Sequence, residues 1–124
     1  MKYTLLIYEN SDTRRLVSSP EGAALMGEVD TIMKELAESG ELVTGAGLAE
    51  PSNTKTVRVR NGVPAVTDGP FAEAKEHFGG FLIVDCDTID RATEIAARWP
   101  NAGFFAMEVR PLMDTGSEPA EVTR

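Results

Sequence analysis

The residues best suited to chemistry in this chain of 124 residues lie close together, in the segment Thr67–Gly80 with the sequence TDGPFAEAKEHFGG. A turn that carries a carboxylate is followed by further carboxylates, an ammonium group and the only histidine of the chain. Side chains of these types can bind a polar ligand or exchange protons with it. The segment therefore predicts a small-molecule site that contains Asp68, Gly69, Pro70, Phe71, Glu73, Lys75, Glu76 and His77.

Asp68 is the first catalytic candidate. Gly69 tolerates a positive φ and Pro70 restricts φ, so this part of the segment predicts a tight turn. If a cleft buries the Asp68 carboxyl against Pro70 and Phe71, its protonated form becomes more favourable and it can act as a general acid or base. In the other interpretation, the carboxylate only caps the turn or a short helix over Phe71–His77.

His77 is the second catalytic candidate, because an imidazole changes its charge near neutral pH. It can approach Asp68 across the turn, or it can form an exposed ion pair with Glu73, which lies one helical turn earlier. The charged residues between Phe71 and His77 either line a cleft, with Phe71 as its apolar wall, or form a solvated turn.

Composition and motifs exclude several classes of function. The net charge of −8 at pH 7 and the sequence pI of about 4.6 disfavour contact with phosphates and anionic lipids, so we expect no nucleic-acid or membrane partner. One cysteine and one histidine are too few for a zinc site. The chain also lacks the glycine-rich loops that bind nucleotide phosphates. We therefore expect neither a metal nor a cofactor.

The length of the chain predicts one domain, over residues 1–113, followed by a flexible polar tail over residues 114–124. The single cysteine, Cys86, excludes an intrachain disulfide and favours a reducing compartment. The N-terminal apolar run, Tyr3–Tyr8, is too short for a signal sequence or a membrane span. We therefore expect a cytoplasmic protein in which Cys86 is a buried structural thiol.

Hydrophobic periodicity and turn residues predict two β-α-β units separated by a β-hairpin. The first predicted helix begins at Ser19, has Pro20 at its first position and ends at Gly40. The second is capped by Asp87 and ends at Pro100. The predicted strands are Tyr3–Tyr8, Glu41–Leu48, Thr54–Arg60, Val63–Val66, Phe81–Asp85 and Gly103–Arg110. The segment Glu9–Ser18 is predicted to be a loop, either without regular structure or with one helical turn.

This order of elements predicts an α+β fold with a ferredoxin-like, split β-α-β arrangement around one antiparallel sheet. Asn61-Gly62 is the expected turn of the inserted hairpin. Two helices cover one face of the sheet, but strands such as Tyr3–Tyr8 carry large residues on both sides. A monomer would leave the second face exposed to water, so we predict a homodimer that packs sheet against sheet.

Three segments, MKYTLLIYEN, TVRVRNGVPAVTDGPFAEAKEHFGGFLIVD and EVRPLM, resemble the DGPF-domain proteins of the YCII-related family. The resemblance extends from Met1 to about Met113. It implies a dimeric α+β barrel of ferredoxin-like units and a small-molecule cleft near the DGPF turn. Many such proteins are encoded beside alternative sigma factors in bacterial genomes, which implies a regulatory or accessory role.

The resemblance implies no single activity, because most members of the family are uncharacterised. A few relatives eliminate chloride from chlorinated hydroxyquinols with a proposed His–Asp pair. The Asp of that pair corresponds to Asp68, but this chain has no His in Glu9–Leu25, the segment where those relatives carry theirs.

Two functional hypotheses follow. The first is a small-molecule-binding dimeric module with a regulatory or accessory role. The alternative is a lyase-like or hydrolase-like enzyme that uses Asp68 as a general acid or base. Whether Asp68 lies in an open or a closed pocket distinguishes the two.

Overall fold

The computed structural model describes residues 1–70 and 76–113 of the chain, and these contain one large sheet, one small sheet and helices. The strands are β1 (Lys2–Glu9), β2 (Leu42–Gly47), β3 (Lys55–Arg60), β4 (Val63–Asp68), β5 (His77–Asp85) and β6 (Ala106–Pro111). The helices are α1 (Ser11–Val17), α2 (Gly22–Ser39), α3 (Ile89–Arg98) and α4 (Pro100–Phe104), and a 3-10 turn covers Pro51–Asn53.

The large sheet has the strand order β2-β5-β1-β6, and every neighbouring pair is antiparallel. Side chains alternate between the two faces of each strand, so Tyr3 and Leu5 of β1 point to the same face. Both are buried there against residues of α2 and α3, such as Leu36 and Ile95. The prediction of an α+β class is therefore confirmed, with the core between the helices and one face of the sheet.

Strands β3 and β4 form a separate two-stranded sheet whose hairpin turn is predicted correctly. Asn61 and Gly62 have φ values of 53° and 77°, as a two-residue hairpin turn with positive φ at both positions requires. Val57 is opposite Val66 in the ladder, and both side chains are exposed. The hairpin therefore does not bury its apolar residues within the described part of the chain.

The segment predicted to be a loop, Glu9–Ser18, contains helix α1. Asn10 caps this helix: its side chain accepts a hydrogen bond from the Thr13 amide at 2.9 Å, and the Thr13 hydroxyl accepts one from the Asn10 amide at 2.8 Å. Such a reciprocal cap satisfies amide groups that otherwise lack partners at a helix start. The polar composition of this segment therefore reflects helix capping as well as exposure to solvent.

The helix starts differ from the predicted ones. Helix α2 begins at Gly22, because Ser19 lies in the preceding turn and its hydroxyl donates to the Leu16 carbonyl. Helix α3 is capped by Thr88, not by Asp87: the Thr88 side chain accepts a hydrogen bond from the Arg91 amide at 3.2 Å.

The predicted end of α2 at Gly40 is confirmed, with a φ of 82°. The last strand begins later than predicted, because Pro100 starts helix α4, which includes Gly103 and Phe104.

Residues 114–124, the predicted tail, lie outside the described residues. Cys86 is buried and forms no disulfide, in agreement with the expected structural thiol. Within residues 1–70 and 76–113, no helix is both long and apolar enough to cross a membrane.

Candidate functional site

Three adjoining cavities lie at the end of the large sheet where β1 finishes and β5 begins. We call them the outer cavity (about 420 Å³), the middle pocket (about 180 Å³) and the inner cavity (about 330 Å³). Leu48, Ala49 and Glu50 line both the outer cavity and the middle pocket. The middle pocket shares Glu9 and Asn101 with the inner cavity, so the three form one group.

The outer cavity includes two residues of the segment in which the sequence predicts a site. Pro70 and His77, both from the segment Thr67–Gly80, contribute to its wall, and so does Phe78. The opposite side comes from the loop after β2 and its 3-10 turn. The residues that line it are Leu48, Ala49, Glu50, Pro51, Asn53, Thr54, Pro70, His77 and Phe78.

Two hydrogen bonds hold the turn that follows β4. The Gly69 amide donates to the Thr54 carbonyl at 2.8 Å, and the Thr56 hydroxyl donates to the Gly69 carbonyl at 2.7 Å. Gly69 has a φ of 93°, a conformation that side chains other than glycine rarely adopt. These contacts place Pro70 at the wall of the outer cavity.

Asp68 is the last residue of β4 and is paired with Lys55 in the hairpin ladder. Its side chain is 84% exposed, and its carboxylate forms an ion pair with the Lys55 ammonium group. The structure therefore places Asp68 in solvent, one turn away from the wall of the outer cavity.

His77 is the first residue of β5, so the prediction that it ends a short helix is wrong. It is half-buried and stands opposite Glu9 in the ladder between β1 and β5. Glu76 is exposed and directly precedes the strand. The other candidates of this segment, Phe71, Glu73 and Lys75, lie outside the described residues.

The middle pocket contains a charged cluster that the sequence did not indicate, and we call Glu9, Arg14 and Glu50 the open-end cluster. Arg14 Nη1 donates to Glu9 Oε1 at 3.4 Å, and Arg14 Nε lies 3.8 Å from Glu50 Oε1. The side chains of Glu9 and Arg14 are only 21% and 24% exposed. Helix α1 places Arg14 beside the end of β1. The capping pattern Asn10-x-x-Thr13 is the sequence signal that could have predicted this helix.

A pair of glycines in β5 makes room for this cluster and for β2. A methyl group at position 79 would lie 2.3 Å from Glu9 Oε2, so the Glu9 carboxylate rests against the backbone of Gly79. A methyl group at position 80 would lie 2.6 Å from the carbonyl oxygen of Ala46. Gly79 therefore admits a side chain from β1, whereas Gly80 admits the backbone of β2.

The inner cavity lies between α2 and the sheet and is mainly apolar. Its polar edge is formed by Glu9 and by Asn101, whose side-chain amide donates to the Tyr8 carbonyl at 2.9 Å. The apolar lining includes Trp99, the only tryptophan of the chain. Other apolar side chains that line it include Ile7, Val17, Met26, Val29, Met33 and Leu82.

Phe78, which lines the outer cavity, packs against Tyr8 of β1. The rings of Tyr8 and Phe78 have centroids 5.2 Å apart. A hydrogen bond with the Glu108 carboxylate raises the pKa of Tyr8, and desolvation adds to this. Tyr8 is thus a neutral hydrogen-bond donor at neutral pH.

In the part of the chain that the structure describes, no group of three or more His, Cys, Asp or Glu side chains is arranged to bind a metal.

Comparison with known proteins places this chain beside a known domain family. The family model of the YCII-related domain matches residues 1–115 of this chain. An uncharacterised protein of Rhizobium meliloti (strain 1021) is 33% identical over 114 residues, which cover 90% of this chain and 92% of that protein.

Proposed function

This chain belongs to the YCII-related family, and from that premise we propose that it is a small-molecule-binding dimeric module with a regulatory or accessory role. The ligand of this proposal binds in the outer cavity. The cytoplasm is the compartment that we propose, since the buried thiol of Cys86 suits reducing conditions.

The outer cavity is the observation that carries the binding proposal. Ligand sites are usually concave, mostly apolar and about 300–1,000 Å³ in volume, with a few polar groups that orient the ligand. The outer cavity has a volume of about 420 Å³ and combines apolar residues such as Leu48 and Phe78 with His77 and Glu50. These features support a ligand of about the size of one substituted ring.

Two large-for-small substitutions test the binding proposal. We expect Ala49→Trp to fill the mouth shared by the outer cavity and the middle pocket, whereas Ala37→Trp adds the same group to an exposed position of α2. In a thermal-shift screen of metabolites, a ligand at one hundred times its Kd stabilises the protein by about 2.7 kcal/mol.

We expect at least one metabolite to stabilise the wild type and Ala37→Trp but not Ala49→Trp. Equal stabilisation of all three proteins would place the ligand elsewhere, and a screen without any stabilising metabolite would argue for a protein partner instead.

The open face of the large sheet supports the dimeric part of the proposal. Leu6 of β1 and Phe81 and Ile83 of β5 alternate with buried neighbours and point away from the helices. These three side chains are partly exposed, and apolar surface of this kind commonly marks an interface. The strand order β2-β5-β1-β6, with a helix after β1 and another after β5, supports the ferredoxin-like arrangement whose sheets pair in a dimeric barrel.

Sedimentation equilibrium at micromolar concentration tests the dimer. We expect a dimer for the wild type and a monomer for Phe81→Glu, because two carboxylates would be buried in the interface. Lys34→Glu, an exposed change on α2, is the matched control and is expected to leave the dimer intact. A monomeric wild type would overturn this part of the proposal.

A catalytic function is the second candidate, and one observation favours it. The turn that carries Asp68 also carries Pro70, which shares the outer cavity with His77. If the protein is an enzyme, Asp68→Asn abolishes turnover of a bound metabolite while the fold is retained. A variant that turns over each metabolite at the wild-type rate would remove Asp68 from the reaction.

A further inference from the structure

We propose that the middle pocket and the inner cavity together bind an organic ammonium ion, with its charged head at Glu9 and its apolar part beside Trp99. This inference goes beyond the proposed function, because it concerns the two cavities behind the outer one and names the chemical class of their ligand.

The charge of the open-end cluster favours a cation. Glu9 and Glu50 bring two carboxylates to the middle pocket, and Arg14 brings one guanidinium group that lies between them. The contacts of Arg14, at 3.4 Å and 3.8 Å, are longer than the 2.7–2.9 Å typical of strong charge-assisted hydrogen bonds. The cluster therefore keeps a net negative charge and carboxylate oxygens that can accept further hydrogen bonds.

Glu9 is the group that reaches both cavities. Its Oε1 faces Arg14, and its Oε2 lies against Gly79, at the polar edge of the inner cavity. Within residues 1–70 and 76–113, Glu9 Oε2 accepts no hydrogen bond. An ammonium group has three N–H donors, so it can bind this oxygen and still reach a neighbouring acceptor.

The apolar lining of the inner cavity determines the rest of the ligand. Val29 and Met33 of α2 face Leu82 and Trp99 across a space of about 330 Å³. A phenyl ring or a short alkyl chain fits such a space and gains stability from leaving water. A ligand with a negatively charged head would instead place a third anionic group beside Glu9 and Glu50.

The single tryptophan gives a direct measurement of occupancy. Trp99 lines the inner cavity and is buried, so a ligand bound there changes its emission. The probe is 2-phenylethylamine, compared with 2-phenylethanol and 3-phenylpropionate, which keep the ring and change the head group. N-acetyltryptophanamide controls for collisional quenching.

We expect a saturable change in Trp99 emission with the amine, and at least about tenfold weaker binding of the alcohol and the carboxylate. Glu9→Gln is expected to lower the affinity for the amine by about tenfold. Gly79→Ala, which displaces the Glu9 carboxylate, is expected to lower it by a similar factor. Glu38→Gln removes an exposed carboxylate from α2 and is expected to leave the affinity unchanged.

Two results would overturn the inference: equal or tighter binding of the alcohol or the carboxylate, or an amine response that is not saturable. Circular dichroism verifies the fold of each variant. If either Glu9→Gln or Gly79→Ala does not fold, the other variant still tests the role of the Glu9 carboxylate. Trp99 emission reports on the inner cavity. Binding of the amine can therefore be detected even if the Ala49→Trp experiment shows that no metabolite binds in the outer cavity.

Discussion

The two ends of the large sheet each pair an arginine with a glutamate, and the geometry of the two pairs differs. At the end where β2 begins, Arg91 of α3 binds Glu41 through two parallel hydrogen bonds, Nε to Oε2 and Nη2 to Oε1, both 2.8 Å long. At the other end, Arg14 lies 3.4 Å from Glu9 and 3.8 Å from Glu50. The first pair has the bidentate geometry of a strong contact, and the second does not.

The surroundings of the two pairs also differ, with close contacts beside Glu41 and cavities beside Glu9. Beside Glu41, the N-terminal amino group binds the Asp85 carboxylate at 2.9 Å, and the Cys86 amide donates to the Met1 carbonyl. Glu9 lines the middle pocket and the inner cavity, and the outer cavity adjoins the middle pocket. At the end of the sheet near Glu41, which we call the closed end, the charges pair within the fold. At the end near Glu9, the open end, our proposal is that the charges meet a ligand.

Truncations at the two ends of α2 give the largest expected contrast. Leu36, near the closed end, is 1% exposed, and we expect Leu36→Ala to lower the free energy of unfolding by about 3 kcal/mol through lost burial and a new cavity. Met26, near the open end, is 47% exposed, and Met26→Ala is expected to cost less than about 1 kcal/mol. Urea denaturation measures both, and equal costs would contradict the contrast.

The two neighbouring glycines of β5 give the next largest effect. We expect Gly80→Ala to cost about 2 kcal/mol, because its methyl group meets the backbone of β2 at Ala46. Gly79→Ala displaces only the end of the flexible Glu9 side chain, so a cost below about 1 kcal/mol is expected. If Gly79→Ala proves the more damaging in urea denaturation, the position of the Glu9 carboxylate contributes more to stability than the backbone contact of Gly80 with β2.

Removal of the Glu41 charge sharpens the comparison of the ion pairs. Hydrogen bonds from Arg91, and then from Ser39, lower the pKa of Glu41 from its ordinary value of 4.5 to about 2. The pKa is depressed in the folded state, so this stabilisation is present above about pH 4.5 and is lost as the pH falls toward 2. Arg91 is 39% exposed, and solvent screening reduces the contribution to about 1 kcal/mol.

We therefore expect Glu41→Gln to lower stability by about 1 kcal/mol at pH 7, with the difference from the wild type vanishing near pH 2. Thermal unfolding followed from pH 2 to pH 7 provides the measurement. Glu9→Gln is the matched control at the open end, and its cost is expected to be smaller than that of Glu41→Gln at pH 7.

Neutralising Arg14 gives the smallest expected change in stability and a test of the open-end cluster. Arg14→Gln is expected to alter the free energy of unfolding by less than about 0.5 kcal/mol, because its contacts with Glu9 and Glu50 are long. It removes the competing cation, so the affinity for 2-phenylethylamine, measured by Trp99 emission, is expected to rise. A fall in affinity would mean that Arg14 itself attracts the ligand.

Local sequence signals predicted most elements because those signals act within a few residues. The end of α2 at Gly40 and the Asn61-Gly62 turn each depend on neighbouring positions, and the structure confirms both. The helix starts were less well predicted, since Ser19, Asp87 and Thr88 are all plausible caps by residue type. Only the hydrogen bonds decide that Thr88 caps α3 and that Ser19 belongs to a turn.

The candidate site was predictable only in part. Two residues of the segment Thr67–Gly80, Pro70 and His77, line the outer cavity, but the sequence could not reveal that Asp68 faces solvent beside Lys55. The exposure of Asp68 depends on how the hairpin projects from the sheet. No pattern in one chain encodes that direction, because it results from the turn geometry at Gly69 and the strand pairing together.

By itself, the sequence determined the strands, the long helix, the hairpin turn and the α+β class, since hydrophobic period and turn chemistry are local properties. The tertiary structure alone decided that Glu9, Arg14 and Glu50 meet beside the three cavities. These residues come from β1, α1 and the loop after β2, and they come together only when β5 pairs with both β1 and β2. Such contacts join distant parts of the chain, and the free energy that selects them comes from burying the whole core.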